Sequence, residues 1–255
     1  MSTALNGTPA GRVAIVTGGS RGVGRAAIRC LAARGYAVVV NYFHDQRAAE
    51  STVDAILADN GNAVAVRADI ADDLDVKRLF AETIAAFGGI DVVIHAAGSR
   101  ITASDVTKVE LDEFDALVRI NARATFVVNR EAARHLRDGG AIVNLSGSAG
   151  GSLLRTHGLY AATKAPADVL TRALALELRE RDITVNAVSL EVGRPCAPHQ
   201  VADVIAYLLS EHGRGLTGQV LRVGDPGLPF AGPHGLRARR TSARPRWHDR
   251  TRGGG

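Results

Sequence analysis

The chain has 255 residues, 46% of them hydrophobic, which is enough to bury one large α/β core. No apolar run approaches the roughly 18 residues needed to span a bilayer, and Met1–Ala10 has neither the basic cluster nor the apolar stretch of a secretory signal. The net charge of +5 is local: seven arginines and one aspartate between Arg237 and Arg252 contribute +6 and leave the remainder at about −1. A near-neutral body argues against nucleic acid as a partner and makes the arginine-rich end a solvated extension.

Strand and helix patterns alternate along the chain. Val13–Thr17, Ala37–Asn41, Ala63–Arg67, Asp91–Ala96, Ala141–Leu145, Thr184–Ser189 and Gln219–Val223 read as strands. Continuous runs such as Val38-Val39-Val40 and Val92-Val93-Ile94 suit strands covered on both faces, as in a parallel sheet. Helical patterns lie between them, over Val23–Arg34, Gln46–Asp59, Asp72–Phe87, Leu111–Arg137, Tyr160–Arg181 and Gln200–Glu211. Asp72, Asp73 and Asp75 mark an acidic helix start, and Gly35 and Gly88-Gly89 mark helix stops. This alternation predicts a Rossmann-type, doubly wound parallel sheet of about seven strands in a single domain, with right-handed crossovers.

Residues 11–223 are assigned to that domain, 1–10 to a flexible N-terminus, and 224–255, rich in Gly, Pro and Arg, to a disordered basic tail. Cys30 and Cys196 form no framework pattern and read as small hydrophobes, so a cytoplasmic protein without disulfides is expected.

The first strand runs into Thr17-Gly18-Gly19-Ser20-Arg21-Gly22-Val23-Gly24, and a helix pattern follows at once. A strand–turn–helix with these glycines suits a dinucleotide. Gly18 and Gly22 let backbone approach the pyrophosphate, Gly24 lets the helix pack tightly, and the helix N-terminus faces the anion. Thr17, Ser20, Arg21 and Val23 complete the candidate contacts of this loop. The second strand ends Val40-Asn41-Tyr42 without a carboxylate, so Asn41 would not repel a ribose 2′-phosphate, and the Arg21 guanidinium can hold one. NADPH is the expected cofactor, with NADH possible and weaker.

This glycine pattern, with Tyr160-Ala161-Ala162-Thr163-Lys164 downstream, resembles the short-chain dehydrogenase/reductase family. The resemblance implies that Asp69-Ile70 borders the adenine. It also implies that Ala96, Ala97 and Gly98, in His95-Ala96-Ala97-Gly98, admit the cofactor, and that Asn121 holds a proton-relay water in the long helix. His95, in place of an asparagine, is expected to be structural. Tyr160 and Lys164 are four apart on one helix face. A phenol of ordinary pKa near ~10 donates a proton well only if its anion is stabilised, and the ammonium does that while holding the nicotinamide ribose. Both residues are therefore candidate cofactor contacts as well as catalytic groups.

Two departures from the family pattern matter. The carbonyl-binding serine expected thirteen positions before the tyrosine is Gly147. Its neighbours Ser146 and Ser148 point elsewhere in a regular extended backbone. A small local shift would bring Ser148 in, and Ser148 is kept as the fourth catalytic candidate. After the sixth strand, Leu190-Glu191-Val192-Gly193-Arg194-Pro195-Cys196 replaces the usual Pro-Gly and its lid, and such an open cleft suits a bulky, flat substrate.

Over roughly Gly11 to Val223 this combination resembles the angucyclinone ketoreductases of aromatic polyketide antibiotic pathways, in the lid-poor, atypical simocyclinone type. The resemblance implies reduction of a polycyclic ketone by a homodimer or homotetramer built through the two long helices. A redox-neutral dehydratase, cyclase or epimerase on the same scaffold, or a non-catalytic NADP-binding partner protein, remain as alternatives.

Overall fold

The computed structural model describes residues 11–99, 105–147, 157–190 and 196–224. Ser148, the segment Glu191–Pro195, the residues before 11 and the arginine-rich tail lie outside the described residues. Seven strands form one sheet: β1 Val13–Thr17, β2 Ala37–Tyr42, β3 Ala63–Arg67, β4 Ile90–His95, β5 Leu136–Ser146, β6 Thr184–Leu190 and β7 Val220–Val223. Every pairing is parallel, in the order β3-β2-β1-β4-β5-β6-β7. The chain thus reverses its direction of winding between β1 and β4, which places a crevice at the carboxyl ends of those strands.

Two apolar layers hold the helices against the sheet, because alternate strand residues face opposite sides. Ile15, Val39, Val93, Ile142 and Val185 pack with Leu79 and Phe80 of α3 (Asp73–Phe87), Val127 and Val128 of α5 (Ala124–His135) and Leu174 of α6 (Gly158–Glu177). Val38, Val40, Val92, Ile94 and Val143 pack on the other face. Their partners there are Ile28 and Leu31 of α1 (Gly22–Ala32), Ile56 of α2 (Gln46–Ala58), and Val201 and Ile205 of α7 (Pro198–Leu208). Each sizeable apolar side chain buried here contributes about 1.5–3 kcal/mol.

Local chemistry sets the helix ends. Asp72 accepts from the Leu74 and Asp75 amides to start α3, and Gly88, at φ 79°, ends it in the left-handed region that favours glycine. Asp45 accepts from the Ala48 amide at the start of α2. Gln200 Oε1 accepts from the Ala197 amide before α7, which begins at Pro198.

The helix expected over Leu111–Arg137 is interrupted. It consists of α4 (Leu111–Leu117), a wide π-helical segment at Val118–Arg123, and α5, and it ends at His135. Leu136 is already extended, and β5 starts there, five residues before the expected Ala141, with Gly139 at φ 75° and a register shift against β4 between Ile90 and Val92. The Gly139-Gly140 pair allows this turn within the strand. Pro166 lies inside α6 and removes one intrahelical donor.

Candidate active site

The crevice between β1 and β4 opens into a cleft of about 910 Å³. Gly18 (φ 64°), in its lining, comes so close to the turn after β4 that a Cβ would lie 2.9 Å from the Ala97 Cα, so only glycine fits. The amides that start α1 face the cleft without a side-chain cap, and no acidic residue lies in the first turn. Beyond Gly22 there is open space. Uncapped amides at a positive helix end form an anion site, and this feature fits a pyrophosphate.

Of the expected contacts, Gly18, Ser20, Arg21, Gly22, Val23, Gly24, Asn41, Asp69, Ile70, Ala96, Ala97, Gly98, Tyr160 and Lys164 line the cleft. Thr17 does not. Its side chain is fully buried, and its Oγ1 accepts from the Ala97 amide at 3.2 Å, tying the end of β1 to the turn after β4. Asn41 has little donor capacity left for a cofactor, since its Nδ2 donates to the Val66 and Ala68 carbonyls at 3.3 and 3.1 Å. The carboxylate of Asp69 is already paired: Oδ2 accepts from Arg119 at 2.7 Å and Oδ1 from the Ala71 amide.

Asn121 also lies behind the cleft wall. Carried by the π-helical segment, its Oδ1 accepts from the Ser99 amide at 3.1 Å, while Nδ2 donates to the Ser99 carbonyl and to Thr163 Oγ1. It braces the loop after β4 against α6. A Cβ on Gly98 would sit 2.6 Å from Lys164 Nζ and 3.0 Å from Asn121 Oδ1, so those two groups flank the glycine closely.

His95 is the centre of a buried chain with one consistent direction. Thr125 Oγ1 donates to the Asn121 carbonyl at 2.5 Å, so towards His95 it can only accept, and His95 Nε2, 3.2 Å away, carries the proton. His95 Nδ1 then accepts from Thr17 Oγ1 at 3.0 Å. The chain runs from the Ala97 amide through Thr17, His95 and Thr125 to the Asn121 carbonyl. The ring is completely buried, and burial, reinforced by the Lys164 charge, pushes its pKa down to about 3. It is a neutral structural link.

Tyr160 and Lys164 enter the cleft from α6, across from Leu145 and Ser146 at the end of β5. Lys164 is 4% exposed, and its Nζ donates to the Leu145 carbonyl at 3.4 Å. Ser146, which strand alternation directs away, contributes to the cleft wall. Sequence reasoning also passed over Ser99, Ile120, Leu190, Phe43, His44 and Asp45 in the cleft lining. Asp45 matters most among these, because it adds a carboxylate to the cleft that Arg21 also lines. The signal that could have found it is an aspartate directly before the helix at Gln46, where its side chain caps the Ala48 amide.

With this geometry in place, comparison with known proteins is direct. Residues 12–193 match the model of the short chain dehydrogenase family. The chain is 37% identical over 230 residues to versicolorin reductase 1 of Aspergillus parasiticus, covering 84% of this chain and 87% of that protein. It is 39% identical over 181 residues to the hydroxynaphthalene reductase-like protein Arp2 of Metarhizium brunneum, covering 71% and 67%. A short chain dehydrogenase from Burkholderia cenocepacia J2315, solved in complex with NADP, superposes with a TM-score of 0.79 at 32% identity, covering 85% of this chain and 97% of that one.

The chain belongs to the short-chain dehydrogenase/reductase family, and is an oxidoreductase of that type whose relatives include a versicolorin reductase and a hydroxynaphthalene reductase-like protein.

Proposed function

We propose that this protein is an NADPH-dependent ketoreductase that reduces a carbonyl on a bulky, polycyclic, angucyclinone-like polyketide in antibiotic biosynthesis. The observation that carries the reading is the pair Tyr160 and Lys164, presented together into the cleft beside the end of β5. The uncapped start of α1 and Arg21 would hold the pyrophosphate and the 2′-phosphate, and Lys164 the nicotinamide ribose. The bound cofactor supplies hydride to the carbonyl carbon. Tyr160 gives its phenolic proton to the carbonyl oxygen, and the buried Lys164 ammonium stabilises the phenolate left behind. Asn121 positions the neighbouring Ser99 segment and Thr163.

No helix among the described residues is long and apolar enough to cross a membrane. The reading includes a cytoplasmic homodimer or homotetramer without nucleic-acid partners, joined through α4–α5 and α6, where Phe126, Val169 and Leu176 leave large apolar surfaces exposed. The test is NADPH oxidation across a panel of angucyclinones. Turnover without NADPH consumption would favour the redox-neutral alternative, which the glycine at position 147 keeps in view.

A further inference from the structure

Gly147 stands at the end of β5 where the family pattern has its serine, and the structure shows what the missing side chain makes room for. A Cβ on Gly147 would lie 2.8 Å from Cε1 and 2.9 Å from Cζ of Tyr160, and closer still to the hydroxyl oxygen. Real Cβ atoms essentially never come within 3.0 Å of another heavy atom. The overlap includes ring carbons, so turning the hydroxyl does not relieve it and the whole ring must move. Backbone conformation does not demand the glycine either, because Gly147 is not among the residues at positive φ. Space is the reason for glycine here.

We infer that Gly147 is the positioning residue of Tyr160: the vacant Cβ position is the socket in which the phenol lodges, in the cleft that Ser146 and Lys164 also line. A side chain at 147 and Tyr160 in its present place are mutually exclusive. Gly147 is therefore an adaptation that lets the phenol sit against the end of β5. Gly147→Ser, which the family pattern presents as repair of a missing donor, becomes a lesion instead. This inference rests on the ketoreductase reading for its kinetic consequences, but its geometric content stands apart from any substrate.

The experiment combines kinetics with a cycle of variants: Gly147→Ala, Gly147→Ser, Tyr160→Phe and Gly147→Ala/Tyr160→Phe, assayed with NADPH and the angucyclinone turned over best. Gly147→Ala and Gly147→Ser are each expected to lower kcat by about 10²-fold, the scale of a reacting group misplaced by about 1 Å. NADPH affinity, measured by fluorescence titration, should stay unchanged. In the Tyr160→Phe background, Gly147→Ala should add no further loss, because it acts through a hydroxyl that is already gone. Gly147→Ser at or above the wild-type kcat, or penalties that multiply in the double variant, would overturn the inference.

Two measurements are independent of turnover. A crystal structure of Gly147→Ala should show the Tyr160 ring displaced from the end of β5, and a ring left in place would refute the socket. Any fall in thermal midpoint caused by Gly147→Ala should vanish in a Tyr160→Ala background, and its persistence there counts against the inference. Wild-type turnover by Tyr160→Phe would remove Tyr160 from the reaction, and the ring position would still decide whether Gly147 holds it.

Discussion

Replacing His95 by asparagine should flatten the acid side of the stability curve. The ring is fully buried, donates through Nε2 to Thr125 and accepts through Nδ1 from Thr17, so a second proton would break the bond from Thr17 inside an apolar layer. Burial first, and the nearby Lys164 charge second, push its pKa from 6.5 to about 3. An unfolded chain titrates the same ring near its ordinary value. Above pH 6.5 both states are neutral there and His95 contributes no pH dependence. As pH falls from 6.5 towards 3, only the unfolded state takes up the proton, so folding loses stability throughout that window.

At about 1.36 kcal/mol per pH unit, the loss between the ordinary histidine pKa and pH 5 is about 2 kcal/mol. The depressed carboxyls do not interfere. Asp73, held low mainly by Lys77, and Asp75, held low mainly by the Asp69 amide, lose their contributions only as pH falls below their ordinary 3.8. Urea unfolding followed by far-ultraviolet circular dichroism between about pH 5 and pH 7.5 measures the slope. His95→Asn will be less stable at neutral pH, because a smaller side chain leaves a cavity, yet should lose about 2 kcal/mol less on acidification. Equal slopes in the two proteins would show that His95 accepts its proton in the folded state.

Arg21→Ala should weaken NADPH about tenfold or more while leaving NADH nearly unchanged, and calorimetric titration showing equal NADPH and NADH affinities in the wild type would refute the assigned contact. Asp45→Asn should act in the opposite direction, strengthening NADPH by removing a carboxylate from the cleft that Arg21 also lines, and unchanged affinity would place Asp45 outside the phosphate's reach. Tyr160→Phe should depress kcat by about 10²-fold or more with NADPH binding retained, and near-normal turnover in steady-state assays would remove Tyr160 as proton donor.

The sequence disclosed the sheet almost completely because its inner strands are buried on both faces, and continuous runs such as Val38-Val39-Val40 between helices of period 3.6 read as such strands. It disclosed the glycine loop for a related reason, since close approach of backbone to backbone at Gly18 leaves a readable mark in residue type. What it concealed were features made by non-local geometry. The π-helical segment at Val118–Arg123 has the same apolar periodicity as an unbroken helix, so nothing in the spacing separates Asn121 from an ordinary helical asparagine. Thr17 sits inside the motif, but its buried bond to the Ala97 amide depends on a turn 80 residues away.

Gly147 is the sharpest case. Read along the chain it is a deletion, a donor that the family pattern has and this protein lacks. Read in space it is occupied volume, because Tyr160 stands where the missing side chain would be. A one-dimensional pattern can register the loss of a serine but not that a tyrosine thirteen residues later occupies the room a side chain there would need. That is why the same position supports opposite expectations for Gly147→Ser, and why the structural one, which counts the atoms already present, takes precedence.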